Sequence, residues 1–280
     1  MGFLQRIKEI FSGNDKHIIA ENAKKLRNIQ AMAYYIACEK FDRTLYPDFT
    51  AIPRNDRNYD QYGIFYLSKL FANRIILEDI TETLVGNEDR QSAYLKRFFE
   101  FNDENRHRWK YLDEKFYQPF NLANSIVVNL KDVPAISNVW QKSRLARGIA
   151  EIGTPKNPWK EQHNDKHRVS LFLPMSLLVV TESGNHSIAT GVLKSVGSIT
   201  VGGDSRHKIY DMSELYQFMS FDGTYYRKRA DNSIICRAKS FDFGAIFEIG
   251  RIVKEYNISF LEFCLSTDRQ ASDLNKKFFT

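Results

Sequence analysis

Gly184-Asn185-His186-Ser187 sets an amide, an imidazole and a hydroxyl within four residues, between an apolar run that reads as a buried strand and a run that reads as a short helix. Glycine reaches positive φ without steric cost, so Gly184 suits the sharp turn that such a junction needs. Ser187 is placed to cap the following helix, which would leave the backbone N–H groups from Ile188 onward open at a helix start, carrying partial positive charge. A phosphate fits that arrangement. Asn185 would help to hold it, and His186 would donate to a phosphate oxygen or move a proton as a general acid or base. A strand, a glycine turn and a capped helix also make an ordinary structural joint with a packed histidine, and both readings stand at this point.

Three carboxylates extend the candidate chemistry. Asp211, Asp222 and Glu248 would hold Mg²⁺ if the fold gathers them, because a hard cation takes carboxylate oxygens, and Asp222 and Glu248 would then join His186 in catalysis. Asp211 has a competing role as N-cap of "MSELYQFM", with Glu214 at the capping-box position. In "FDGTYYRKR", the aromatic Tyr226 beside Arg227, Lys228 and Arg229 would make a nucleic-acid edge, the ring stacking on bases and the cations meeting phosphate; the alternative is a solvated hairpin.

Other motifs are weaker. His163 and His167 stand four apart, the spacing for a shared metal on a helix, but "EQHNDKH" reads as loop and offers no third ligand. "VGGDSRHK" follows a strand yet lacks the Gly-Lys-Ser/Thr ending of a phosphate-binding loop. No Gly-x-Ser-x-Gly elbow or kinase signature set is present, which argues against standard hydrolase and protein kinase chemistry.

The elements that must position these residues change character along the chain. Apolar residues recur at three- and four-residue spacing through "HIIAENAKKLRNIQAMAYYIACEKF" and "YGIFYLSKLFANRIILEDITETLV", predicting two helices with Asp15 and Asp60 as caps. The proline-bearing stretch between them is a loop. A third helix is predicted over "EDRQSAYLKRFFEFNDENRHRWKYLDEKFY", and a further one over "AISNVWQKSRLARGIAEI", while "NSIVVNL" fits either strand or helix. The amphipathic start, with Phe3, Leu4, Ile7, Ile10 and Phe11, predicts a helix that docks on its own protein, a partner or a membrane surface.

A polar stretch with two prolines follows Gly153 and marks a boundary between a helical region at 1–153 and a second region at 154–280. In the second region strands ("RVSLFLPMSLLVV", "GSITVGG", "NSIICRAKSFDFG") interleave with helices ("SIATGVLKSV", "DMSELYQFMS", "AIFEIGRIVKEYN"). The fold class expected is α+β, or α/β. A net charge of +6 and pI near 9.0 bias the chain toward anionic ligands. Three widely spaced cysteines suggest neither a zinc site nor a disulfide framework and fit a reducing, cytoplasmic setting, and no run of about 20 apolar residues predicts a membrane span.

As a block, "LLVVTESGNHSIATGVLKSVGSITV" resembles the core of the ParB/sulfiredoxin-like superfamily: a strand, a Gly-x-His/Arg-Arg turn, a short helix with a small residue, and a glycine before the next strand. Gly184, His186, Ala189, Gly197 and Ser198 to Val201 fall on that pattern, about 30 residues in all. The resemblance implies nucleotide or phosphate binding at the turn, in a superfamily that includes nucleotide-dependent DNA clamps, phosphotransferases and nucleases. Ser187 stands where the family carries a basic residue and Asn185 where sulfiredoxin carries its cysteine, which argues against the arginine-rich nucleotide switch and that redox chemistry. The whole chain resembles an uncharacterised bacterial family carrying the same turn.

The expectation is therefore a protein that binds a nucleotide or nucleic-acid phosphate through Gly184, Asn185, Ser187 and Ile188, with a nucleoside triphosphate and Mg²⁺ as candidate cofactors. Catalysis, if present, would be phosphodiester hydrolysis or phosphoryl transfer. The alternative is a non-catalytic module whose aromatic helices bind a protein partner or self-associate, in a defence or mobile-element system.

Overall fold

A computed structural model of the chain describes residues 13–38, 42, 44–45, 47, 60–86, 116, 119–159, 167–203 and 206–267. The amphipathic start, the loop after the first helix, most of the helix expected from residue 88 to 117, and His163 lie largely or wholly outside them. The fold is α+β. Helix α1 spans Gly13–Ala37 and α2 spans Gly63–Val85. Asp15 sits in the first turn of α1, and Asp60 accepts from the Tyr62 N–H just ahead of α2.

Strands β1 (Pro119–Phe120), β2 (Ile126–Asn129) and β3 (Ala135–Ile136) precede α3 (Lys142–Glu151). The helix expected from Ala135 onward is thus split: its β-branched start pairs in a sheet, and only the Lys/Arg/Ala-rich remainder is helical. Then come β4 (Val169–Leu173), β5 (Leu177–Val180), α4 (Asn185–Lys194), β6 (Ser198–Val201) and β7 (Lys208–Asp211). A short α5 (Leu215–Phe218), strands β8 (Met219–Phe221), β9 (Tyr225–Lys228) and β10 (Ile234–Arg237), and α6 (Phe241–Glu255) complete the named elements.

The main sheet runs β1-β7-β4-β5-β3, mixing parallel and antiparallel neighbours. Its central pair, β4 and β5, is apolar and almost wholly buried, as expected for strands covered on both faces. β2 pairs with β6, and β8 to β10 form an antiparallel meander. Strands that precede residue 153 therefore complete sheets supplied by residues that follow it. The polar stretch after Gly153 thus connects elements whose strands pair with one another.

Helix α6 lies at the centre of that core. Ser240 caps its start, and Phe243, Ile246, Phe247, Ile249, Ile252 and Val253 are buried against α1, α2 and the meander. Gly244 is needed because a side chain there would enter the ring of Phe221. No helix among the described residues is long and apolar enough to cross a membrane.

Candidate functional site

Strand β5 ends at Val180, and the chain turns through Gly184, which adopts φ 96° and is the residue preceding α4. The first intrahelical bond runs from the Ile188 N–H to the Gly184 carbonyl at 2.9 Å. The helix therefore starts three residues earlier than a Ser187 cap would place it. Ser187 lies inside the first turn, Ile188 is already bonded, and the leading N–H groups are those of Asn185, His186 and Ser187.

Gly184 is required by space as well as by φ. A Cβ there would sit 2.5 Å from His167 Cδ2. His167 stacks on Trp159 at 5.1 Å, and Trp159 lies against Gly197 and donates from Nε1 to the Ser198 carbonyl at 2.9 Å. The two glycines of the resemblance thus receive a stacked Trp–His pair. His167 is 3% exposed and serves this wall.

Two side chains of the turn fasten it to the entry of α3. Asn185, 2% exposed, accepts through Oδ1 from the Asn138 N–H at 2.8 Å. That bond fixes which amide atom is oxygen, so Nδ2 is the remaining donor, and it is buried without a hydrogen-bond partner among the described residues. His186 accepts through Nε2 from the Gln141 N–H at 3.1 Å, so its proton sits on Nδ1. The ring meets Trp140 edge-on at 4.6 Å.

At the other end of α4, Lys194 donates to the carbonyls of Ile149 and Ile152 at the end of α3. Midway, Gly148 closes on Thr190 so tightly that a Cβ would lie 2.7 Å from its hydroxyl. The helices α3 and α4 therefore run side by side in the same direction, with both N-termini at one end. Their positive ends add there.

Between this end and the Trp159–His167 wall opens a cleft of ≈ 690 Å³. Trp140, Arg144, Arg147 and Glu151 line it from α3 and its entry, and Glu182 to Ser187 line it from the turn. Sequence reading passed over Arg144, Arg147 and both tryptophans. The spacing of the arginines, one turn apart in a helix entered through Trp140, was the available signal.

The remaining candidates lie elsewhere and are already engaged. Asp222 Oδ1 accepts from the N–H groups of Thr224 and Tyr225 at 2.9 and 2.7 Å, and its Oδ2 pairs with Arg227. Glu248 is 3% exposed and accepts from Arg251 at 2.6 Å and Gln30 at 2.9 Å. Burial opposes the charge of Arg251, but Glu248 and the Tyr34 hydroxyl outweigh it and hold the guanidinium above its ordinary value. Asp211 Oδ1 accepts from the Ser213 N–H at 2.8 Å at the end of β7. It does not cap a full-length helix, because α5 is a single turn that gives way to β8.

The three carboxylates are thus a turn former, a buried ion-pair partner and a strand-end residue. Among the described residues no group of three or more His, Cys, Asp or Glu side chains is arranged to hold a metal ion. The expected nucleic-acid edge is also consumed by the fold. Tyr226 is 3% exposed and packs on Phe247 and Phe221, Arg227 is tied to Asp222 and the Asn232 carbonyl, Lys228 pairs with Asp231, and Arg229 donates to the Met219 carbonyl.

The sequence profile of the family of unknown function DUF6710 matches residues 21–260, which include the whole turn and cleft, and the chain belongs to that family. Comparison with curated proteins and with solved structures gave no match.

Proposed function

We propose that the cleft at the start of α4 binds a phosphate-bearing ligand of nucleotide size. The observation that carries this reading is Asn185 Nδ2: a buried donor without a partner among the described residues, on a side chain locked by Asn138, at the positive end of two helices. A buried polar atom left unpaired costs free energy, and a ligand oxygen would recover it. The resemblance of this segment to ParB/sulfiredoxin-like turns supports the same reading. So does the cleft volume of ≈ 690 Å³, because small-molecule sites typically span about 300 to 1,000 Å³.

In this reading Ser187 and the leading N–H groups of α4 hold the phosphate, and His186 offers its Nδ1–H to a phosphate oxygen. Its Nε2 is committed to Gln141, so His186 positions and donates and does not act as a base through that atom. Phosphoryl transfer or phosphodiester hydrolysis would rest on positioning and electrostatic stabilisation. Mg²⁺ would arrive with a nucleoside triphosphate, since Asp211, Asp222 and Glu248 have other partners. Three cysteines, none of them in a disulfide, fit the reducing, cytoplasmic setting in which such ligands are abundant.

The test is thermal unfolding against a panel of nucleotides, short DNA and short RNA, with and without Mg²⁺. A ligand at a hundred times its dissociation constant should stabilise the wild type by about 2.7 kcal/mol. Ser187→Glu is the matched control: a carboxylate in a first helical turn favours the helix but repels an anion there. Stabilisation that survives in Ser187→Glu would contradict the reading.

A second reading, a helical interaction module, is favoured by one observation. Tyr66, Leu70 and Leu77 on one side of α2 are 46%, 56% and 45% exposed. A stable dimer in light scattering that Leu70→Lys abolishes would support it.

A further inference from the structure

Besides the α4 start the cleft is lined by two arginines, Arg144 and Arg147, and by two acids, Glu151 and Glu182. Arg144 and Arg147 are exposed, line the cleft from α3 and stand three residues apart, so their side chains are neighbours on one helix face. Like charges at that spacing repel, yet neither guanidinium has a carboxylate partner among the described residues. Elsewhere Arg74, Arg227 and Arg251 are each paired with an acid. Glu151, one turn beyond Arg147, ends the basic stretch on this face. Because α3 and α4 run side by side from a common end, the arginine pair lies beside the first anion position rather than across the protein from it.

We propose that Arg144 and Arg147 form a second anion site, so that the ligand carries two linked phosphate groups and belongs to the diphosphates rather than the phosphate monoesters. One phosphate sits at Asn185 to Ser187. The other is taken by the guanidinium forks, whose planar donor pairs match phosphate oxygens. This inference rests on the phosphate reading of the turn.

Calorimetric titration of the full chain with inorganic phosphate and with pyrophosphate, at fixed ionic strength, tests it. Wild type is expected to bind pyrophosphate at least about tenfold more tightly than phosphate, through the added bidentate contacts. The double variant Arg144→Gln, Arg147→Gln should lose that preference while keeping its phosphate affinity; both positions are exposed, and circular dichroism checks that the variant is folded. Equal affinities in wild type, or a preference retained in the folded double variant, would overturn the diphosphate assignment and leave the turn as a single-phosphate site. Failure of wild type to bind either anion would overturn the phosphate reading of the turn and this inference together.

Discussion

His186 Nε2 accepts the Gln141 N–H at 3.1 Å, so the second residue of α4 sets the entry to α3. With the Asn185 to Asn138 bond beside it, the turn fixes the relative position of two helix starts. The cleft depends on this coupling, because the anion position on α4 and the arginines on α3 face one ligand only while the two helices keep their register.

His186→Ala removes the acceptor and leaves the Gln141 N–H without it. The expected loss is about 1 kcal/mol of stability, the net worth of a typical hydrogen bond. Urea unfolding measures it, and anion affinity should fall with it because α3 is released. A variant with unchanged stability would show that the bond does not hold the helix entry.

Gly184→Ala combines a strained φ with a Cβ 2.5 Å from His167, whose ring is backed by Trp159 and has nowhere to move. Destabilisation of about 2 to 4 kcal/mol is expected in denaturant unfolding. A loss under about 0.5 kcal/mol, within the range of ordinary surface changes, would mean that the wall is looser than described.

Much of this junction was legible from residues alone, and the reasons are local. Gly184, the following helix and the glycine before β6 announce themselves through φ requirements and periodicity. The cap assignment failed by three residues because Ser187 is a good capping residue in isolation, whereas Gly184 was already committed to the turn that starts the helix. What sequence spacing does not carry is which distant residues meet. Asp211, Asp222 and Glu248 differ in nothing obvious from a metal set until β7, the hairpin and α6 are seen to hold them apart from such a role. Likewise Tyr226 reads as an exposed aromatic beside cations until Phe247 and Phe221 close over it. β1 to β3 are too short for their periodicity to show that they belong to sheets formed by later strands.

Asp242 supplies a pH dependence with a definite sign. Burial raises its carboxyl above the ordinary 3.8; Arg74 opposes the shift, and Glu78 adds to it. The folded state therefore holds this proton more tightly than the unfolded chain, so the contribution is present at low pH and is lost as pH rises through the raised value. Stability profiles of wild type and Asp242→Asn, measured across the acid range, should diverge with wild type declining relative to the variant as pH increases. Parallel profiles would contradict the assignment.

Burial pushes the thiols of Cys236 and Cys264 up to about 12, so neither carries appreciable thiolate at pH 8. A thiol reagent should modify at most Cys38 in the native protein and all three cysteines in denaturant. Modification of two or more before unfolding would show that these core positions open readily.

The most direct test of the central claim reads the backbone itself. Titration of ¹⁵N-labelled protein with pyrophosphate, followed by amide chemical shifts, should give the largest saturable changes at the N–H groups of Asn185, His186 and Ser187, with the Asn185 side-chain amide moving in step. Changes confined to other regions, or none at concentrations that saturate any measurable binding, would contradict a phosphate site at this turn.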